Sequence, residues 1–255
     1  MRVLIVGGSG YVGGLIAPRL AQDHALRIVD LRPPAVAGCE FVQADATDFA
    51  ALAAAMAGVD AVVHCAMGAE NGSEAEMATA AYDVNVKSVH LTLLAANNAE
   101  VRHAVHVSSL SVFDKLTGRR VDEETTPDAT DRYGLTKRLG EQVCRAAVAE
   151  YGMSVNVLRF AWPTPDDIWP AWGRVRPPVR WYADDGTPID GTAATDAARA
   201  VAAALEFRDG FQIFTITGDG SARLWSTDKA RRVLNWSPTF HAGQQSGAGR
   251  DDPAG

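Results

Sequence analysis

Arg2-Val-Leu-Ile-Val-Gly7-Gly8-Ser9-Gly10-Tyr11-Val12-Gly13 opens the chain after its first methionine. Residues 2–6 are a short apolar run that enters glycines, the pattern of a strand buried on both faces in a parallel sheet. The glycines at 7, 10 and 13 each have a physical use. Gly7 permits a tight turn, Gly10 lets backbone approach a pyrophosphate, and Gly13 lets the next helix pack close to the strand. That helix, expected over 15–22, presents free N–H groups to phosphates at its N-terminus, beside Tyr11 and Val12. A second strand at 26–29 ends in Asp30. That carboxylate stands about 20 residues after the turn, where it would bind the adenosine ribose hydroxyls of a dinucleotide. Asp30 repels a 2′-phosphate and favours NAD over NADP, a preference that Arg32 tempers.

A second stretch carries the chemistry. Tyr133-Gly-Leu-Thr-Lys137 places a phenol and an ammonium one helical turn apart, on one face. A free phenol titrates at about 10. A neighbouring cation lowers that value, so Lys137 is expected to acidify Tyr133. Such a phenol takes a proton from an alcohol or returns one to a carbonyl oxygen. Ser109, upstream, supplies a hydroxyl to hold the substrate oxygen. The chain has four lysines against twenty arginines, so a lysine at 137 suggests that the ammonium itself is wanted.

Together these residues resemble the extended short-chain dehydrogenase/reductase family, also called the NAD-dependent epimerase/dehydratase family, over roughly residues 1–240. Further matches fall in the same order. Asp45-Ala46 follows a third strand at 41–43, where the family places an aspartate against adenine. His64-Cys65-Ala66 ends a fourth strand at 61–63, where small residues pass under the cofactor. Asn85 matches an asparagine on the next helix, and Val107-Ser108-Ser109-Leu-Ser-Val-Phe113 resembles the catalytic Ser/Thr segment. The resemblance implies that Ser109, Tyr133 and Lys137 are catalytic, with Lys137 also on the nicotinamide ribose, and that the protein is a homodimer through its two long helices. Where the family closes the serine segment with Val-Tyr-Gly, this chain has Val112-Phe113-Asp114. Trp162 stands where related sugar-nucleotide epimerases carry an asparagine, which argues against a sugar-nucleotide substrate.

The composition fits one doubly wound α/β body. A chain of 255 residues with 47% hydrophobic content suffices for a full sheet. A net charge of −7 argues against nucleic acid or anionic membrane as the main partner. No apolar run reaches the ~18 residues that span a bilayer. Cys39, Cys65 and Cys144 match no metal or redox motif, so reduced thiols in a cytoplasm are expected, with no metal.

Strands and helices alternate as a parallel Rossmann sheet requires. Helices are expected at 75–98, 132–151, 195–206 and 227–234, with later strands at 103–108, 154–160 and 211–217. Asp48 reads as a helix cap. His64, His103 and His106 read as packed, hydrogen-bonded residues rather than ligands, and Ser108 and Ser111 as structural. Residues 1–160 are expected as the NAD-binding core, 161–240 as a small substrate lobe interleaved with it, and 241–255 as a flexible tail. All six tryptophans follow residue 160, and four lie in the proline-rich segment 161–182. They either fill the lobe or, through Trp162, Trp169 or Trp172, stack on a flat or sugar-like substrate.

The leading expectation is therefore a net oxidoreductase acting on a secondary alcohol or ketone of a compact small-molecule substrate, with Trp162 and Ser109 on the substrate. The short lobe and the closing segment 221–238 resemble small uronate-dehydrogenase-like members. The alternatives are a sugar epimerase or dehydratase with transient internal redox, and a dinucleotide sensor without turnover.

Overall fold

The computed structural model describes residues 1–240. The expected tail at 241–255 lies outside the described residues. Six strands, β1 (Arg2–Val6), β2 (Ala25–Asp30), β3 (Glu40–Gln43), β4 (Ala61–His64), β5 (His103–Ser109) and β6 (Ser154–Phe160), join a final strand at Phe211–Ile216 in one sheet. Every pairing in it is parallel. The spatial order is final strand–β6–β5–β4–β1–β2–β3. The chain winds outward from β1 in one direction, then returns to β4 and winds the other way. Crevices at the carboxyl ends of strands on either side of such a reversal are where α/β sheets bind ligands.

Two helical layers account for the unbroken apolar strands. Helices α1 (Tyr11–Leu20) and α6 (Ala194–Glu206) bury Ile16, Leu20, Val201 and Leu205 against one face, with Ile5, Val63 and Val105 beneath them. On the other face, α2 (Phe49–Ala55), α4 (Ser88–Asn98) and α5 (Arg132–Tyr151) pack Leu52, Leu93 and Cys144 on Leu4, Val62 and Val155. All four residues of β4 are buried, whereas edge strand β3 is largely exposed. Among the described residues no helix is long and apolar enough to cross a membrane.

Local chemistry sets the boundaries. Helix α1 starts at Tyr11 rather than the expected 15, because the glycines at 13 and 14 are wound into its first turns; Gly14 N–H donates to Gly10 O at 2.8 Å. The expected helix 75–98 is three pieces: α3 (Glu74–Tyr82), a π turn at Asp83–Lys87, and α4. Ser73 and Glu76 form a reciprocal capping box at its start. Asp48 accepts from Ala51 N as an N-cap, as read. Helix α5 begins on Asp131, whose side chain accepts from Gly134 N, and stops at Gly152 with φ 65°.

Residues after Phe160 do not form one lobe. Helix α6 and the final strand belong to the core. The lobe is built from 161–193 with two short strand pairs, joined by segments near 110–121 and 224–225 around Phe113, Ile189 and Trp225. Helix α7 (Asp228–Leu234) leads into Trp236, whose Nε1 donates to Asp196 O at 3.0 Å. The buried Asp196 carboxylate then accepts from Thr239 N, Thr239 Oγ1 and Phe240 N.

A Cβ on Gly13 would lie 2.4 Å from Gly7 O and 2.6 Å from Gly8 Cα, whereas a Cβ on Gly14 would meet nothing within 4 Å. Gly13→Ala is therefore expected to cost about 1–3 kcal/mol by overpacking. Gly14→Ala on the same helix is expected to stabilise by up to about 1 kcal/mol. Urea melts of the two variants check this; equal midpoints would contradict the close packing.

Candidate active site

At the sheet reversal a cavity of about 950 Å³ opens over the carboxyl ends of the strands. One end is the glycine turn. Gly7 has φ 86°, and a Cβ there would sit 2.4 Å from Ala66 Cα, so the β1 turn and the end of β4 touch through bare backbone. Gly10, Tyr11 and Val12 line the cavity at the N-terminus of α1, whose first turn carries no acidic side chain. Gly13 lies buried behind them and sets the packing of the helix.

Beyond the turn the cavity passes Asp30, Arg32, Asp45 and Ala46. Asp30 accepts from Ser9 N at 2.9 Å and from Arg32 N at 3.2 Å, so backbone fixes the carboxylate at the cavity wall. Arg32 folds back, with Nη2 donating to Ser9 O at 3.4 Å. Asp45 Oδ1 accepts from both Thr47 N and Thr47 Oγ1. Cys65 and Ala66 line the floor. Burial pushes the Cys65 thiol up to about 12, and its Sγ faces Val6 O and Gly7 O. Asn85 stands behind the cavity rather than on its lining. The π turn sends its side chain inward, where Oδ1 accepts from Gly68 N at 3.1 Å and Nδ2 donates to Thr136 Oγ1 at 3.0 Å. Asn85 thus ties the loop after β4 to α5.

At the other end lie Ser109, Tyr133 and Lys137, from the end of β5 and the first turns of α5. The structure brings all three to one wall. Ser109 Oγ donates to Ser111 Oγ at 3.1 Å and accepts from Ser111 N, and its hydroxyl pulls the pKa of the neighbouring Tyr133 phenol down. Lys137 is buried; its Nζ donates to Val107 O at 3.1 Å and lies 5.9 Å from the centre of the Tyr133 ring. Burial, opposed by Cys65 and by the Glu141 carboxylate, brings its pKa down to about 8.

Lys137 does not acidify Tyr133 as the helical spacing predicts. Burial raises the phenol above its ordinary value, because the phenolate is the form that loses hydration. The opposing pulls come from the Ser109 hydrogen bond and then from Arg174, while Glu70 and Asp131 raise it. Lys137 sits under the ring with its ammonium committed to Val107. Nothing in the sequence singles out Arg174. It is one of twenty arginines, in an irregular segment whose path has no periodic signal. It crosses from the lobe to the loop after β4, pairing with Glu70 at 2.5 Å and lying 3.7 Å from Met67 Sδ.

The tryptophans divide. Trp162 and Trp172 line the cavity. Trp162 stacks on Trp181 at 4.7 Å with 10° between planes and tilts against Trp225 at 5.4 Å. Trp169 is core: it is buried, and its Nε1 donates to Gly191 O at 2.8 Å. The three singled-out histidines are buried in the sheet. His64 Nε2 meets Ser88 Oγ at 2.8 Å, and His103 faces two backbone carbonyls. His106 departs from its reading as a hydrogen-bonded residue, since neither ring nitrogen has a partner among the described residues. No cluster of metal-ligating side chains occurs among the described residues.

The profile of the NAD dependent epimerase/dehydratase family matches residues 3–163. A 3 beta-hydroxysteroid dehydrogenase/Delta 5-->4-isomerase of Mycobacterium tuberculosis is 33% identical over 183 residues, covering 66% of this chain and 47% of that protein. A UDP-glucose 4-epimerase of Corynebacterium glutamicum is 23% identical over 305 residues, 93% of this chain and 91% of its own. The chain spans about half the length, or less, of the first curated relatives it matches. Among solved structures, a mutant uronate dehydrogenase from Agrobacterium tumefaciens, complexed with NAD, aligns with a TM-score of 0.75 at 21% identity, over 94% of this chain and 84% of that one. That likeness establishes the fold.

The charge pattern around the phenol is testable. In difference titrations against Tyr133→Phe, the Tyr133 phenol is expected to ionise above its ordinary value. Arg174→Gln is expected to raise that pKa further, because it removes a cation and leaves Glu70 unpaired. An unchanged or lowered value would contradict the assignment.

Proposed function

This chain belongs to the NAD-dependent epimerase/dehydratase family, and on that premise we propose that it is an oxidoreductase passing hydride between a nicotinamide dinucleotide and a secondary alcohol or ketone of a compact, sugar-like or cyclic substrate. The observation that carries this reading is the continuity of one cavity from the glycine turn to Ser109, Tyr133 and Lys137. The residues present fit a dinucleotide. The N–H groups of Gly7 and Gly10 are spent within the turn, on Val29 O and Gly7 O, so it is the first turn of α1, at Tyr11 and Val12, that offers N–H groups to a pyrophosphate, with no acidic side chain in that turn. Gly13 keeps that helix close. Asp30 would take the adenosine ribose, Asp45 and Ala46 the adenine, and Cys65 and Ala66 the floor, while Lys137 and Tyr133 would take the nicotinamide ribose. Asn85 supports the site from behind. A fixed carboxylate at Asp30 disfavours a 2′-phosphate, so NAD is the dinucleotide proposed.

The bound nicotinamide supplies a carrier for hydride. The chain's own residues handle the proton and the oxygen. Ser109 gives up its contact with Ser111 to hold the substrate oxygen. Tyr133, beside Ser109, would take the hydroxyl proton as the phenolate during oxidation or return it as the phenol during reduction. Lys137 holds a buried ammonium beneath the ring, where it would carry the nicotinamide ribose, while the Ser109 hydroxyl and Arg174 are the groups that favour the phenolate. Trp162 and Trp172 offer flat apolar walls to a ring, and the Arg174–Glu70 pair supplies polar edges.

A second reading, epimerisation with transient internal redox, draws on the Corynebacterium glutamicum relative, whose printed name is UDP-glucose 4-epimerase. The stacked Trp162–Trp181 pair on the substrate side favours a more compact ligand.

The test is a panel of aldonates, uronic sugars and small cyclic ketones or alcohols with NAD and NADP. Reduced-cofactor absorbance is expected to change in proportion to product, with NAD preferred. Product without net absorbance change would favour epimerisation. Tyr133→Phe is expected to lower kcat by about 10²–10⁴-fold while NAD binding persists; full activity in that variant would overturn the proposal.

A further inference from the structure

Beneath the proposed catalytic residues lies a buried polar knot that the reading above does not use. Glu141, on α5, is 2% exposed. Its Oε1 accepts from Ser108 Oγ at 2.7 Å and from Arg159 Nε at 2.9 Å, and its Oε2 accepts from Arg159 Nη2 at 2.8 Å. Arg159 is 1% exposed on β6, paired in register with Ser108 on β5. One carboxylate therefore ties a helix to two neighbouring strands. Its position is specific to the site. Glu141 lies one helical turn beyond Lys137, which lies one turn beyond Tyr133, all on one face. Ser108 adjoins Ser109, and Lys137 itself donates to the carbonyl of Val107.

Stability alone is a weak account of such a pair. Desolvating both charges offsets most of their attraction, and replacing a buried pair by apolar groups is often neutral or stabilising. We propose that Glu141 is a positioning residue for this site: anchored by Arg159 and Ser108, it fixes the register of α5 on β5 and β6 and presents a fixed negative charge to Lys137. The groups facing Lys137 make that charge matter. Tyr133 and Cys144 share its helix, Cys65 follows β4, His64 and His106 lie on β4 and β5, and Arg174 reaches in from the lobe. Arg174 and burial disfavour the ammonium, and Glu141 opposes them. The consequence for turnover rests on the oxidoreductase reading; the consequence for Lys137 does not.

The test uses full-length protein with ¹³Cε-labelled lysine. Only Lys87, Lys115, Lys137 and Lys229 contribute signals, and Lys137→Arg assigns the one of interest. Glu141→Gln keeps the shape but strands Arg159. The double variant Glu141→Leu, Arg159→Met replaces both charges with apolar groups of similar size. In each variant that folds, Lys137 is expected to titrate at lower pH than the wild-type value of about 8. The alkaline limb of the kcat profile is expected to move down with it, and kcat at pH 8 to fall about tenfold with little change in KM. A folded variant with wild-type Lys137 titration would overturn the proposal. Failure of both variants to fold would assign the knot to stability and overturn it as well. A Lys137 titration that moves while turnover does not would support the positioning and count against the catalytic role given to Lys137 above.

Discussion

The approach of bare backbone at the end of β1 is the constraint on which the rest of the molecule depends. Gly7 meets Ala66, and Gly13 meets Gly7, at separations that a methyl group would abolish. Because those contacts are possible, α1 begins directly over the sheet reversal instead of beside it. Its free N–H groups then face the crevice between β1 and β4, and the loop after β4 passes under the same opening. The cavity is thus a product of sequence at three glycines, expressed through strand order. No separate lobe is needed to form that half of the cavity.

The opposite half is governed by burial. Lys137 is buried and Tyr133 half-buried at the cavity wall, and both lose hydration in their charged forms. That shared cost is why the phenol is raised and the ammonium lowered in this state, the reverse of what proximity alone suggests. Neighbouring charges then decide how much of each charged form survives: Arg174 and the Ser109 hydroxyl favour the phenolate, and Glu141 favours the ammonium. A site in which neighbouring charges shift proton affinity suits a step that moves one proton.

Much of this was legible in the sequence, and the reasons are physical. The glycine spacing, the apolar strands and the acidic end of β2 are local patterns whose meaning does not depend on distant packing. The Tyr133–Lys137 spacing fixes a shared helical face by geometry alone. What escaped was non-local. Arg174 meets Glu70 across 104 residues, and nothing in an irregular proline-rich segment announces that crossing. The Glu141–Arg159–Ser108 knot joins a helix to two strands, and each member reads singly as an ordinary polar residue. The sequence places Asn85 on a helix but carries no sign of the π turn, which turns the side chain away from the cavity. Trp162 and Trp169 looked alike in sequence; only the path of the chain separates a cavity wall from a core anchor.

The central claim is that a dinucleotide bridges the two halves of one cavity, and a crystal structure of the protein grown with NAD tests it most directly. The account predicts the pyrophosphate at the N-terminus of α1 over Gly10, a ribose on Asp30, and the nicotinamide ring beside Tyr133 and Lys137. A dinucleotide bound elsewhere, or a nicotinamide directed away from Ser109 and Tyr133, would contradict it.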